Sequence, residues 1–156
     1  TLDLSGCSGL RSLPSLGRLK ALKTLDLSGC SGLRSLPSLG RLKALKTLDL
    51  SGCSRLTSLS LVELTSLHTL GLSGCRDLTS LSLRKVTALQ TLLYGCSGLT
   101  SLSLHRLTAL QTLDLGGCSG LTSLPSLDRL TALQTLDLRG MSLLPNTQTS
   151  YPHTTR

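Results

Sequence analysis

The feature that most constrains this chain is a repeat of 21 to 23 residues that fills most of its length. The segment TLDLSGCSGLRSLPSLGRLKALK covers residues 1–23 and returns without a change at residues 24–46. Because repetition at a period of about 20 to 50 residues indicates a stack of one structural unit, we predict a solenoid. A seventh, partial unit begins at Thr135, and the four units before it occupy residues 47–68, 69–90, 91–111 and 112–134.

Each unit opens with a pattern that predicts one short β-strand. In the second unit the apolar residues Leu25 and Leu27 alternate with Thr24 and Asp26, as expected for a strand with one buried face. A Ser-Gly step follows and ends the strand. The return segment has Leu recurring at short spacings and is too short for a long helix with two loops. We therefore predict a helical turn or a 3₁₀ segment there.

The composition of the core indicates one packing layer copied many times. Leu supplies 45 of the 156 residues, whereas Phe and Trp are absent and Tyr occurs twice. A single unit leaves both sides of its Leu layer uncovered, so the units must stack with their strands paired in parallel. We predict a repeat domain at residues 1–139, with six full units and one partial unit, and an irregular, partly disordered tail at residues 140–156.

The stretch LKTLDLSGCSGLRSLP, residues 22–37, resembles the leucine-rich-repeat consensus LxxLxLxxN/CxL, with Cys30 where many families carry Asn. This Cys-containing variant is most similar to the repeat region of plant intracellular immune receptors of the TIR/NB-ARC type. The resemblance implies an α/β leucine-rich-repeat solenoid with a parallel sheet on the concave face and short helical or 3₁₀ segments on the convex face. It also implies that the concave sheet binds a protein, a peptide or a flanking domain of the same polypeptide.

Four residues are candidates for a binding site on the concave face. Asp26, Asp49 and Asp114 share one column of the repeat, where stacked carboxylates would favour a cationic partner. Tyr94 appears where the fifth unit reads TLLYGC instead of TLDLSGC, and an exposed aromatic residue would be a natural anchor. The alternatives are a solvated consensus column for the aspartates, and a degenerate strand with Tyr94 covering a gap.

The cysteines recur once per unit, which ties each of them to the same structural place. One thiol per coil cannot converge on a metal ion, and side chains pointing inward side by side have poor geometry for disulfides. We expect no metal and no disulfide, and interpret these residues as buried free thiols: Cys7, Cys30, Cys53, Cys75, Cys96 and Cys118.

Several classes of function are not expected. The net charge of +8 comes from dispersed Lys and Arg without aromatic stacking residues, so nucleic acid is not an expected partner. No apolar run reaches the roughly 18 residues of a membrane span. Neither a catalytic triad nor a phosphate-binding loop nor an HExxH helix is present, so we expect neither an enzyme nor a cofactor.

The sequence thus predicts a non-enzymatic module for protein–protein interaction, and the resemblance implies the recognition part of a receptor of the innate-immune type. The alternative is a structural spacer, or a fragment of a larger repeat scaffold, without a ligand of its own. Free thiols in such number favour the cytoplasm, and because the first residue is Thr1 we expect N-terminal sequence to be missing. Neither end carries a polar capping unit, so we also expect end-to-end self-association through uncapped termini.

Overall fold

The computed structural model describes residues 1–141, which contain nine short β-strands. The predicted tail at residues 140–156 lies almost entirely outside the described residues and stays a prediction. Within the described part there is no helix with the length and hydropathy that crossing a bilayer requires. The strands are β1 (Leu2–Asp3), β2 (Thr24–Asp26), β3 (Thr47–Asp49), β4 (Ser58–Ser60), β5 (Thr69–Gly71), β6 (Ser80–Ser82), β7 (Thr91–Leu93), β8 (Thr112–Asp114) and β9 (Thr135–Asp137).

One strand from each unit enters a parallel sheet of seven strands in the order β1-β2-β3-β5-β7-β8-β9. Equivalent residues of neighbouring units are paired, so that Leu25 aligns with both Leu2 and Leu48. Because side chains alternate across a strand, this register places every central Leu on one side of the sheet. The period-two pattern in the sequence is therefore the buried face of a continuous ladder.

The core is a stack of Leu layers behind this sheet. Leu25 and Leu27 are completely buried, as are Leu48 and Leu50 one unit later. The chain leaves each strand through a pair of turns, in which Cys30 N–H donates to the Leu27 carbonyl (3.1 Å) and Leu33 N–H donates to the Cys30 carbonyl (3.0 Å). These turns keep apolar side chains pointing inward at every third residue.

The predicted helical or 3₁₀ segments are wrong for residues 1–141, in which no helix is present. The return segment instead closes with two successive turns, where Leu42 N–H donates to Leu39 (2.8 Å) and Leu45 N–H donates to Leu42 (3.0 Å). A 3₁₀ helix needs such a bond at each residue rather than at each third one. The described fold is a parallel β-solenoid of strands and turns, and the α/β class is not supported.

A second, two-stranded parallel sheet lies on the return segments and joins β4 to β6. Both strands come from the sequence LTSLSL, which replaces the LRSLPSL of the first two units. Proline has no N–H to donate to a ladder, so Pro37 disfavours extension of this sheet toward the second unit. The third and fourth units lack this Pro, which permits the pairing of β4 with β6.

Candidate functional site

The candidate site is the outward side of the seven-stranded sheet, which we call the sheet face. It carries one column of Thr residues and, two positions later, one column of mostly Asp residues. All three predicted aspartates lie in this column and are half-buried. Asp26 and Asp49 are direct register partners, whereas strands β5 and β7 separate Asp49 from Asp114.

Each aspartate has a structural role that the sequence reasoning missed. Its Oδ1 accepts the backbone N–H two residues later, from Ser28 to Asp26 at 2.9 Å and from Ser51 to Asp49 at 2.8 Å. Asp114 accepts the N–H of Gly116 in the same way at 2.7 Å. An Asp placed two residues before a turn is the available signal, because Asp side chains commonly cap their own turns. The column therefore ends the strands and also presents charge.

Hydrogen bonds stabilise the charged carboxylates at the two ends of the column, Asp3 and Asp137. A hydrogen bond from Ser5 lowers the pKa of Asp3 below its ordinary value. At the other end, hydrogen bonds from Arg139 lower the pKa of Asp137, and the Arg139 Nε lies 2.8 Å from Asp137 Oδ2. The carboxylate of Asp137 is thus already neutralised within its own strand end.

Tyr94 does not lie on the sheet face, so its predicted exposure is wrong. Its side chain is only 2% exposed and occupies the inward position that Leu fills in other units. The register shows why: Leu93 pairs with Asp114 and with Gly71, so Leu93 takes the outward column. The residue lost from the fifth unit belongs to the turn at Gly95, and strand β7 remains intact.

The central strands β5 and β7 contribute no charged residue to the Asp column, because Gly71 and Leu93 occupy its positions there. A Cβ added at Gly71 would lie 2.7 Å from Asp49 Oδ1, so the carboxylate of Asp49 leans over the space beside Gly71. Leu93 follows in the next strand and is half-buried. The sheet face consequently has a neutral, partly apolar centre between acidic positions on either side.

A family comparison agrees with this geometry. Residues 22–64, which include β2, β3 and β4, match the model described as Leucine Rich repeats (2 copies). The match supports a leucine-rich-repeat protein. No curated protein matches the chain.

The cysteines form a ladder beside the Leu layers. Cys53 Sγ donates to the Leu27 carbonyl at 3.3 Å, and Cys75 Sγ donates to the Leu50 carbonyl at 3.2 Å. Five of the six thiols are buried, whereas Cys7, in the first coil, is exposed. The prediction that all six thiols are buried is therefore wrong for Cys7. The described residues contain no cluster of three or more metal-ligating side chains.

Burial controls the acid–base properties of these thiols. It raises the pKa of Cys53 to about 12 and that of Cys118 to about 11. The neighbouring Cys96 thiol and burial also raise the pKa of Cys75. The ladder is suited to packing and to weak hydrogen bonding, since buried thiols behave as small apolar groups.

Proposed function

We propose that this leucine-rich-repeat solenoid binds a protein or peptide partner through its sheet face. The fold is typical of protein–protein interaction modules. The observation that carries the proposal is the break in the repeat at Gly71 and Leu93, which creates a neutral patch inside an acidic column. A face that served only to stack coils would need no such interruption.

The chemistry of the sheet face indicates the kind of partner. Asp26, Asp49 and Asp114 each use Oδ1 in a turn, which leaves Oδ2 for a cationic side chain of a partner. The half-buried Leu93 offers apolar contact between these charges. We expect a partner segment that places an apolar residue at the centre and Lys or Arg on either side, because charge complementarity guides register and encounter.

The proposal is tested by selecting binders from a random peptide display library with the unmodified chain. Selected peptides are then measured against Leu93→Asp, which restores the repeat consensus, and against the triple variant Asp26→Asn, Asp49→Asn and Asp114→Asn. Asn keeps the turn acceptor while removing charge. We expect each variant to weaken binding about tenfold or more, equivalent to roughly 1.4 kcal/mol.

The matched control is Arg11→Gln with Arg34→Gln, since both side chains are exposed on return segments away from the sheet face. This control should bind the selected peptides as well as the unmodified chain does. Equal binding by all variants would contradict the proposal. It would favour the second candidate, a structural spacer, which is suggested by the identical first and second units and their uniform surface.

We also propose that the module is the recognition part of an innate-immune-type receptor in the cytoplasm. The support is the Cys-containing LDLSGC repeat and the five buried thiols outside any disulfide in the described residues. Sequencing the coding region on both sides of this segment tests the idea. A nucleotide-binding switch domain upstream would support it, and a different flanking domain would contradict it.

A further inference from the structure

The return segments contain a sequence that adopts two different arrangements. LTSLSL occurs three times without a change, at residues 56–61, 78–83 and 99–104. The first two copies pair as β4 and β6, with Leu61 N–H donating to the Ser82 carbonyl at 3.0 Å. The third copy forms no strand beside β6. Two differences precede the third copy: a residue is lost from the turn at Gly95, and Gly98 stands where Arg55 and Asp77 precede the first two copies.

A cleft of about 310 Å³ lies where this pairing fails, between β6 and the fifth return segment. We call it the basic cleft. Leu81, Leu83 and Leu107 contribute apolar walls. The polar groups that line it are Ser82, Arg84, Lys85, Ser103, His105 and Arg106.

A second cleft on the opposite edge of the two-stranded sheet provides an internal comparison. It also measures about 310 Å³ and is lined by residues 35–38, Gly40, residues 58–60 and Val62. This lining contains no charged side chain. The positive charge is thus a property of the basic cleft and is absent from an equivalent opening in the same fold.

The cations of the basic cleft are only partly neutralised. Lys85 Nζ lies 3.2 Å from Glu63 Oε1, and Lys43 shares the same carboxylate at 3.2 Å. Neither Arg84 nor Arg106 takes part in an ion pair within residues 1–141. No carboxylate lines the cleft, so these guanidinium groups are available to an anion.

We propose that the basic cleft binds the phosphorylated side chain of a peptide. Arginine offers paired N–H donors whose geometry matches phosphate oxygens, and Ser hydroxyls add neutral donors. The cleft volume exceeds that of a lone phosphate, and its Leu walls suit the peptide that carries the group. This site is independent of the sheet face, because it is built from the return segments of the fourth and fifth units.

The test is a titration of the whole chain with a fluorescent Gly-Ala-Gly-phosphoserine-Gly-Ala-Gly peptide, followed by anisotropy. Its counterpart with unmodified serine is the first control. We expect the phosphopeptide to bind about tenfold or more tightly than the counterpart. The variant Arg84→Gln with Arg106→Gln should lose about tenfold or more of that affinity. Glu63→Gln, which frees Lys85, should increase it by about threefold.

The matched control variant is Arg34→Gln with Arg55→Gln, whose exposed side chains lie outside the basic cleft. It should bind the phosphopeptide as the unmodified chain does, and circular dichroism should show that all variants fold. Equal loss in both double variants would mean diffuse electrostatic attraction and would overturn the proposal. Inorganic phosphate binding as tightly as the peptide, or preferential binding to vesicles of anionic lipid, would overturn it as well.

Discussion

Tyr94 lies beside Leu72 on the inward side of the sheet, one step beyond the paired residues Gly71 and Leu93. Its hydroxyl is buried without a hydrogen-bond partner among the described residues. A buried polar group without a partner costs about 1–3 kcal/mol. The fifth coil therefore contains a polar atom that weakens its own core.

We predict that Tyr94→Phe stabilises the protein by about 1 kcal/mol, because it removes the unpaired hydroxyl and keeps the ring. Tyr94→Ala should instead cost about 3–5 kcal/mol through the cavity it leaves. Urea unfolding followed by circular dichroism measures both changes. Lower stability of Tyr94→Phe would show that the hydroxyl gains a partner in solution.

The buried thiols should make the fold sensitive to alkali. The pKa of Cys53 is raised to about 12 in the folded state and that of Cys118 to about 11, whereas an unfolded thiol ionises near about 8.5. Above that pH the unfolded chain releases protons that the folded chain retains, so the free energy of unfolding falls as pH rises. Urea midpoints should be level from pH 6 to 8, within about 0.2 M, and should decline progressively to pH 10.5.

Burial also raises the pKa of Tyr94 well above its ordinary value. Ionisation of this phenol therefore adds to the alkaline loss only above about pH 10, the ordinary pKa of tyrosine. The matched variant Tyr94→Phe should show a shallower decline above that pH and an unchanged one below it. A flat stability profile in the unmodified chain would contradict the burial of these groups.

The turn role of the aspartates predicts different effects of two substitutions at one site. Asp49→Ala leaves the half-buried N–H of Ser51 without its acceptor and should cost about 1 kcal/mol. Asp49→Asn keeps an acceptor oxygen and should change stability by less than about 0.5 kcal/mol. Thermal unfolding separates the two outcomes. Equal costs would mean that the negative charge, and not the hydrogen bond, stabilises the turn.

Thiol labelling tests the packing of the cysteine ladder. In the native state one thiol of six, Cys7, is exposed, and it should react with a disulfide reagent within minutes at pH 8. The remaining five should react only when denaturant unfolds the chain, because thiol reactivity requires access and ionisation. Cys7→Ser is the control and should abolish the rapid phase. Rapid reaction of more than one thiol would show that the coils open readily.

Much of the fold follows from the sequence because the same pattern of apolar and polar residues recurs in each unit and predicts the same local structure each time. The alternation around Leu25 and Leu48 predicts the parallel sheet and its register, which the structure contains. Leu at every third residue of the return segment also fits a helical segment, yet successive turns meet the same spacing. Spacing alone does not distinguish a helix from turns when each inward Leu is held by one hydrogen bond.

The candidate site was predictable where the repeat is regular and not where it breaks. The column position of Asp26, Asp49 and Asp114 follows from their equivalent places in the units. The place of Tyr94 does not, because a lost residue is compatible with a shortened strand or a shortened turn. Burial decides between them, since a shortened turn leaves the inward row continuous through Tyr94.

The direction of the hydrogen bonds between coils has a mechanical consequence. The backbone N–H of Leu27 donates to the backbone carbonyl of Asp49, and that of Lys46 donates to the carbonyl of Lys23, both at 2.8 Å. These bonds therefore join one coil to the next. A pulling force along the stack acts on every set of these hydrogen bonds in turn. An outermost coil is bonded on one side only, so it should detach first. Each coil that detaches releases about 70 Å of extended chain at roughly 3.3 Å per residue. The stack would thus extend in steps under force, with one coil unfolding at each step.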